Sequence, residues 1–304
     1  MYFDNNINNI LHNKKFFYAP IINGLLENKI IEFLTKNGFY NFTLPELNPS
    51  LFNKEHLIVF EIEDKKIELN SSNAMKISAL SAIYGKVFSI SRTFRKENEV
   101  DNSHLSEFKM LELEFKSSNE NEIFEFIENL LKYIIDWFNN FITSNKLIDI
   151  FNLKKIDFPI ERKNYEKIVL EHLLNGEKIY FDDFNFSDIE ISKNISNPLY
   201  VMYYPPEGSW RAKKKDSIHA YLYNLILPDN YGELIEFSIR ETNFQFYYDK
   251  FKKLDYLGKY DWYLSAIKYN QDQRAGLGLG IERLGCWLMD LKDIGNQLVF
   301  PRKP

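Results

Sequence analysis

Arg95 stands among the carboxylates of Glu97, Glu107, Glu112 and Glu114, on two short stretches whose side chains alternate. Val87 to Phe94 reads Val-Phe-Ser-Ile-Ser-Arg-Thr-Phe. Phe108 to Phe115 sets Phe108, Met110, Glu112 and Glu114 at every second position. That period marks half-buried strands. A polar loop, Asn98 to Ser103, joins them, so an antiparallel pair should present the arginine and the acids on one shared face. An arginine there suits a phosphate, because its fork of donors matches phosphate oxygens, while the acids hold a cationic or amide-bearing partner. The same residues could instead form a surface ladder of cross-strand ion pairs.

A second chemical stretch lies far downstream. Gly276-Leu-Gly-Leu-Gly-Ile-Glu-Arg283 is a strand with glycine at every second position running into a helix. Removing side chains from one face lets a flat ligand lie against the backbone. Arg283, at the helix start, can stack on a planar base. A close strand crossing beside a Gly-rich turn is the other reading.

Taken in this order, the two stretches resemble motifs of a known family. Phe94-Arg95-Lys96-Glu97 with His104-Leu-Ser-Glu107-Phe108 resembles motif 2 of class II aminoacyl-tRNA synthetases, aspartyl/asparaginyl branch. Gly276 to Arg283 resembles motif 3, and Asn37 to Pro45, after a helical stretch, resembles motif 1. The resemblance covers nearly the whole chain, to the tail Leu298-Val-Phe-Pro-Arg302. It implies an α+β fold, the class II synthetase antiparallel sheet flanked by helices. It implies ATP and Mg²⁺ as cofactors. Arg95 would meet the α-phosphate and His104 the γ-phosphate. Phe108 and Arg283 would enclose adenine, Glu97 would bond its exocyclic amine, and Gly278 and Gly280 would lie against the nucleotide.

The resemblance extends to Tyr223 through Glu241. Glu233 would carry the metal, with Asn224 where the family has an aspartate. Arg240, next to Ser238, would fork onto a substrate side-chain carboxylate. Counting back from Arg95 places Ser71, Asn73 and Lys76 on the branch's amino-acid-binding segment, with Lys76 holding that carboxylate; a register shifted by one puts Ile77 there. Glu112 joins the substrate set as an acid of the same face. Glu236 and Phe237 replace two family glycines, so a carboxylate and a bulky ring are expected to alter the floor of the site.

These groups need a frame. Pro20 should open a helix that Gly38 ends, after a poorly held Asn-rich start. Leu57 to Leu69 reads as a strand pair turned at Glu63 to Lys66. Ser71 to Ile83 reads as a serine-capped helix. Asn119 to Lys146 carries a long apolar stripe. A helix from Asn164 to Leu174 should end at Gly176. Pro198 to Pro205 reads as a buried strand, and Thr242 to Lys253 and Tyr260 to Tyr269 as helices. Arg211-Ala-Lys-Lys-Lys215 reads as a solvated loop.

With 304 residues, 45% hydrophobic, the chain can bury a sizeable core. One cysteine excludes a disulfide framework. No apolar run reaches membrane-spanning length and no signal-peptide pattern opens the chain, which implies a cytoplasmic protein. The expectation is a single catalytic domain over 1–304 without an anticodon-binding domain. Its formal net charge of −5 argues against tRNA as a partner. Among family members this pattern most resembles the archaeal-type asparagine synthetase. That implies activation of aspartate as an adenylate and amidation by ammonia, in a homodimer built on motif 1. The alternatives are transfer of the activated amino acid to a small amine, peptide, carrier protein or tRNA, and an inactive binding paralogue.

Overall fold

The computed structural model describes residues 2–303 except 50–56, 97–100, 118, 175–180, 183–184, 187 and 210. Two helices, α1 (Tyr2–His12) and α2 (Lys14–Lys36), lead into strands β1 (Tyr40–Asn41), β2 (Leu47–Pro49), β3 (Val59–Ile62) and β4 (Lys65–Leu69). Helix α3 (Ala74–Tyr84) precedes the motif 2 hairpin, β5 (Val87–Phe94) and β6 (Glu107–Lys116). The long α4 (Glu120–Ser144) follows, then β7 (Glu161–Asn164), α5 (Tyr165–Leu174), β8 (Phe181–Asp182), β9 (Asn185–Phe186) and α6 (Asp188–Lys193). Strands β10 (Leu199–Met202), β11 (Leu222–Leu227) and β12 (Gly232–Ile239) come next. Helices α7 (Phe244–Lys253) and α8 (Asp261–Tyr269), strand β13 (Arg274–Gly280) and helix α9 (Ile281–Leu288) complete the order.

Eight strands make the main sheet, ordered β1-β5-β6-β13-β12-β11-β10-β7. The six inner strands pair antiparallel, and the edge strands β1 and β7 join parallel. This is the expected antiparallel sheet with helices. The alternation reads directly onto its two faces. Leu111, Leu113, Leu277, Leu279, Ile235, Phe237 and Leu225 point into one core with α2, α4 and α9. On α4, Ile123, Ile127, Leu130, Leu131, Ile134 and Phe138 are fully buried there, as the apolar stripe requires. The other face carries Glu112, Glu114, Gly276, Gly278, Glu236 and Ser238, in cross-strand rows.

Several expectations need correction. Helix α2 starts at Lys14, not Pro20: Asn13 caps it, accepting from Lys15 N at 2.8 Å, and Pro20 lies inside the helix. The first residues are helical, and Asn6 Nδ2 donates to Leu298 O at 3.1 Å. Glu107 leaves the shared face. Its odd position puts it opposite Phe94, on the side of Arg92, with which it pairs, away from Glu112 and Glu114. Phe237 does not floor the site. It stacks on Tyr223 at 4.9 Å, fully buried in the core, because only every second residue of β12 faces the site. Glu97 and Gly176 lie outside the described residues.

Candidate active site

Strand β5 ends at Phe94, so Arg95 leaves the sheet with its backbone still tied to the hairpin, N–H to Ser106 O at 3.0 Å. Its guanidinium lies over the Phe108 ring, 5.5 Å from the centroid. Arg283, in the first turn of α9, reaches the same place from the other side. Its Nη1 donates to Glu233 O at 2.5 Å and Nη2 to Ser103 O at 3.4 Å. Burial pushes the Arg283 pKa down, and the nearby Arg95 charge adds to that, while Glu233 and Asp188 oppose it. Two cations from distant motifs thus share one region. In the hairpin loop, Asp101 Oδ2 holds His104 Nδ1 at 2.6 Å and Oδ1 accepts the His104 N–H at 2.7 Å. Asp101 therefore fixes the ring on one edge and leaves Nε2 to a ligand.

Glu233 owes its place to a bulge. Leu225 pairs with Ile235 but Ile226 pairs with Glu233, so Leu234 is an extra residue and Glu233 turns to the side of Asn224. Asn224 Nδ2 donates to Glu233 Oε2 at 2.8 Å and to Asp188 Oδ2 at 2.9 Å. Burial, with the charges of Asp188 and Glu236, pushes the Glu233 carboxyl up to about 8. Burial also raises Asp188, against its hydrogen bonds from Tyr204 and Asn224. Two adjacent carboxylates resist ionising together, and their oxygens are donors of the kind that suit a hard cation such as Mg²⁺. Asp188 brings a second carboxylate beside Asn224 and Glu233. It heads α6, and in the sequence it reads only as an acid in a helix's first turn.

Arg240 is 5% exposed and held from two sides: Nη1 donates to Ser238 Oγ at 2.6 Å, Nε to Glu114 Oε2 at 3.3 Å. Glu114 also takes Arg274 Nε at 3.0 Å and Ser78 Oγ at 3.1 Å. The sequence shows Glu114 and Arg274 but not that they form one buried network. Gly276 lies opposite Glu114 and Ser238; a Cβ on it would stand 2.7 Å from Arg240 Nη2. So one glycine of the alternating strand exists to let the arginine lie flat. The loop taken as solvated is not wholly so: Ala212 bridges Arg240, and the Arg211 charge is among the influences that lower the Arg240 pKa, after burial.

Lys76 faces a cavity of about 900 Å³, beside Ser71, Ser72, Met75, Arg211 and Trp262. Its Nζ donates to Asn48 Oδ1 at 2.6 Å, Asn73 Oδ1 at 2.7 Å and Pro45 O at 3.3 Å. Burial lowers its pKa, against Glu112 and Glu68. Ile77 is 2% exposed and points into the core, whereas Lys76 lines the cavity. Glu112 does not stand open to substrate. Its Oε1 accepts from Ser72 Oγ at 2.6 Å and its Oε2 from Asn73 N at 2.7 Å, which anchors the start of α3. Gly278 lies between Glu112 and Glu236, and Gly280 caps α9.

The model of class II tRNA synthetases (D, K and N) matches residues 21–304. The chain belongs to this family. A relative, the asparagine–tRNA ligase of Pyrococcus abyssi, is 30% identical over 254 residues, covering 79% of this chain and 58% of that one. That of Mycoplasma genitalium is 28% identical over 95% of this chain and 70% of its own. The chain thus spans roughly three-fifths to seven-tenths of these relatives' length. In structure it is similar to asparaginyl-tRNA synthetase from Pyrococcus horikoshii complexed with asparaginyl-adenylate, with a TM-score of 0.83 and 24% identity, covering 95% of this chain and 69% of that one. The expectations of ammonia-dependent asparagine synthesis, and of no tRNA partner, are overturned by these relatives, which are tRNA ligases. The argument from net charge failed because −5 is a whole-chain sum, whereas a polyanion meets local charge. Among the described residues, no helix is long and apolar enough to cross a membrane.

Proposed function

We propose that this chain, a cytoplasmic homodimer, activates asparagine with ATP as asparaginyl-adenylate and passes the asparaginyl group to tRNA. The observation that carries it is the meeting of Arg95 and Arg283 beside the Asp188–Glu233 pair: cations for phosphate oxygens next to carboxylates for their counter-ion. The names of the relatives give the amino acid and the acceptor. In the first step an α-carboxylate oxygen attacks the α-phosphorus and the bond to pyrophosphate breaks. Arg95 stabilises the charge gathering on the α-phosphate, and His104, fixed by Asp101, presents Nε2 to the terminal phosphate. Glu233 and Asp188 would hold Mg²⁺, which would supply charge neutralisation for the pyrophosphate oxygens. Adenine takes the Phe108 ring face, with Arg283 on its other side. Arg240, aligned by Ser238 and Glu114, and Lys76 hold the substrate side chain. In the second step a terminal ribose hydroxyl of tRNA attacks the carbonyl carbon and AMP leaves.

A second reading, aspartate instead of asparagine, is favoured by the Arg211 charge beside Arg240, since a carboxylate gains more from two guanidinium groups than an amide does. Amino-acid-dependent exchange of pyrophosphate into ATP, followed by charging of tRNA with labelled amino acid, tests both. Exchange fastest with asparagine and ribonuclease-sensitive label are expected. Faster exchange with aspartate establishes the second reading. No exchange with either amino acid, or exchange without charging, overturns the proposal.

A further inference from the structure

Glu236 stands where the family resemblance expects glycine, and it faces the site. It lies in a row across the sheet, Glu112–Gly278–Glu236–Asn224, one residue from each of four strands. Strands lie about 4.8 Å apart, so Glu112 and Glu236 flank Gly278 roughly two strand spacings from each other. The methyl end of Met110 lies over Gly278, 3.2 Å from where a Cβ would stand, and as the far end of a flexible apolar chain it can move aside for a ligand. Both oxygens of Glu112 are taken by Ser72 and Asn73. Among the described residues, nothing donates a hydrogen bond or makes an ion pair to the Glu236 carboxylate, although it is half-buried. Its charge is nonetheless felt on both sides: it favours the Arg240 cation and raises the Glu233 carboxyl.

The order along β12 decides what that carboxylate can do. Arg240, Ser238, Glu236 and, through the bulge, Glu233 follow one another on the site face. In the proposed complex the substrate side chain lies at Arg240 and the phosphates lie at Glu233 and Arg95. The group between a side chain and an activated carboxyl is the α-carbon with its ammonium. We propose that Glu236 is a positioning residue of this site that receives the substrate's α-ammonium over Gly278. A half-buried carboxylate there offers a charge-assisted hydrogen bond that a glycine cannot. It also selects for α-amino acids over acids that share the side chain but lack the amine. This inference rests on the amino-acid-activation reading above and adds to it the residue that reads the amine.

The test compares two stable mimics of the adenylate, asparaginyl-sulfamoyl-adenosine and its counterpart without the α-amino group, by calorimetric titration of wild type and Glu236→Gln. Glutamine keeps the shape and removes the charge. Wild type should prefer the amine-bearing mimic by at least about tenfold, a hydrogen bond to a charged group being worth that much. Glu236→Gln should lose most of that preference while binding the amine-free mimic as wild type does, which also shows that it is folded. If wild type prefers the amine and Glu236→Gln keeps the full preference, the activation reading stands and the role of Glu236 is overturned. If Glu236→Gln weakens both mimics equally, the residue is structural and the inference falls. If wild type binds neither mimic, the activation reading falls and takes this inference with it.

Discussion

Two cations, Arg95 and Arg283, and two carboxylates, Asp188 and Glu233, carry the proposed chemistry, and each can be removed singly. Arg95 is exposed and outside the strand, so Arg95→Ala should fold normally. By analogy with the loss of one oxyanion donor it should cost roughly 3–4 kcal/mol of transition-state stabilisation, two to three orders of magnitude in pyrophosphate exchange. Exchange near the wild-type rate in a folded variant would remove this hairpin from the reaction. Asp188 gives a sharper test, because the motif comparison did not point to it. If it shares the cation with Glu233, Asp188→Asn should raise the Mg²⁺ concentration for half-maximal exchange by about tenfold or more, one charge on a hard cation being lost. An unchanged Mg²⁺ titration would leave Glu233 without its partner. Legibility differed for these residues for a physical reason. Arg95 and Arg283 belong to local patterns, strand period and glycine alternation, that a sequence displays. Asp188 reaches Asn224 only after the chain has folded α6 against β11 and β12.

Elements position these residues through backbone geometry, and β13 shows how. Its glycines face the site and its leucines the core, as the alternation in the sequence implies. What the alternation could not show is the reason at each glycine: Gly276 makes room for Arg240, whereas Gly278 makes room for the methyl end of Met110. Gly276→Ala should therefore push Arg240 from its seat, raise the KM for the amino acid at least tenfold, and leave the KM for ATP nearly unchanged. It should also destabilise the fold by about 1–3 kcal/mol, as overpacking does. Equal effects on both KM values would mean that the strand itself has shifted. Helix α9 supplies a pH-dependent element. Glu282 is 3% exposed, and burial pushes its carboxyl up to about 7, against the Lys109 N–H it accepts at 2.9 Å. Its folded pKa lies above the ordinary 4.5 of a glutamate, so the folded state holds the proton more tightly than the unfolded chain. The stabilisation is full below about pH 4.5 and is lost as pH rises to about 7, worth about 3 kcal/mol at most. Urea unfolding of wild type and Glu282→Gln at pH 5 and pH 7.5 reads the difference. The variant should lack that share of the decline, and parallel declines would show that Glu282 is ionised throughout.

At the scale of the whole molecule, sheet and motif order were legible because each is a local repeat, whereas Phe237 was misplaced because it was put on the same face as its neighbour Glu236, and adjacent residues of a regular strand face opposite sides. Acceptor choice was misread because it was inferred from a sum of charges. The remaining whole-molecule feature is the outer face of α2 and β1. Phe17 and Ile21, one turn apart on α2, are 51% and 45% exposed, and Tyr40 on the edge strand β1 is 63% exposed. Helix α2 contacts β1, the edge strand of the sheet, so helix and strand belong to one side of the molecule. Apolar side chains beside an open strand edge are a surface that a second copy can cover. A two-fold contact uses the same patch on both copies, so each substitution enters twice. Two apolar side chains, each worth about 1.5–3 kcal/mol when buried, should then be lost with Ile21→Asp, raising the dimer dissociation constant by at least about a hundredfold. Light scattering at micromolar concentration should give a dimer for wild type and a monomer for Ile21→Asp, with pyrophosphate exchange measured alongside. Helix α2 packs on α9, which carries Arg283, so the monomer should also exchange more slowly. A wild-type monomer, or an Ile21→Asp dimer of unchanged affinity, would place the self-association surface elsewhere.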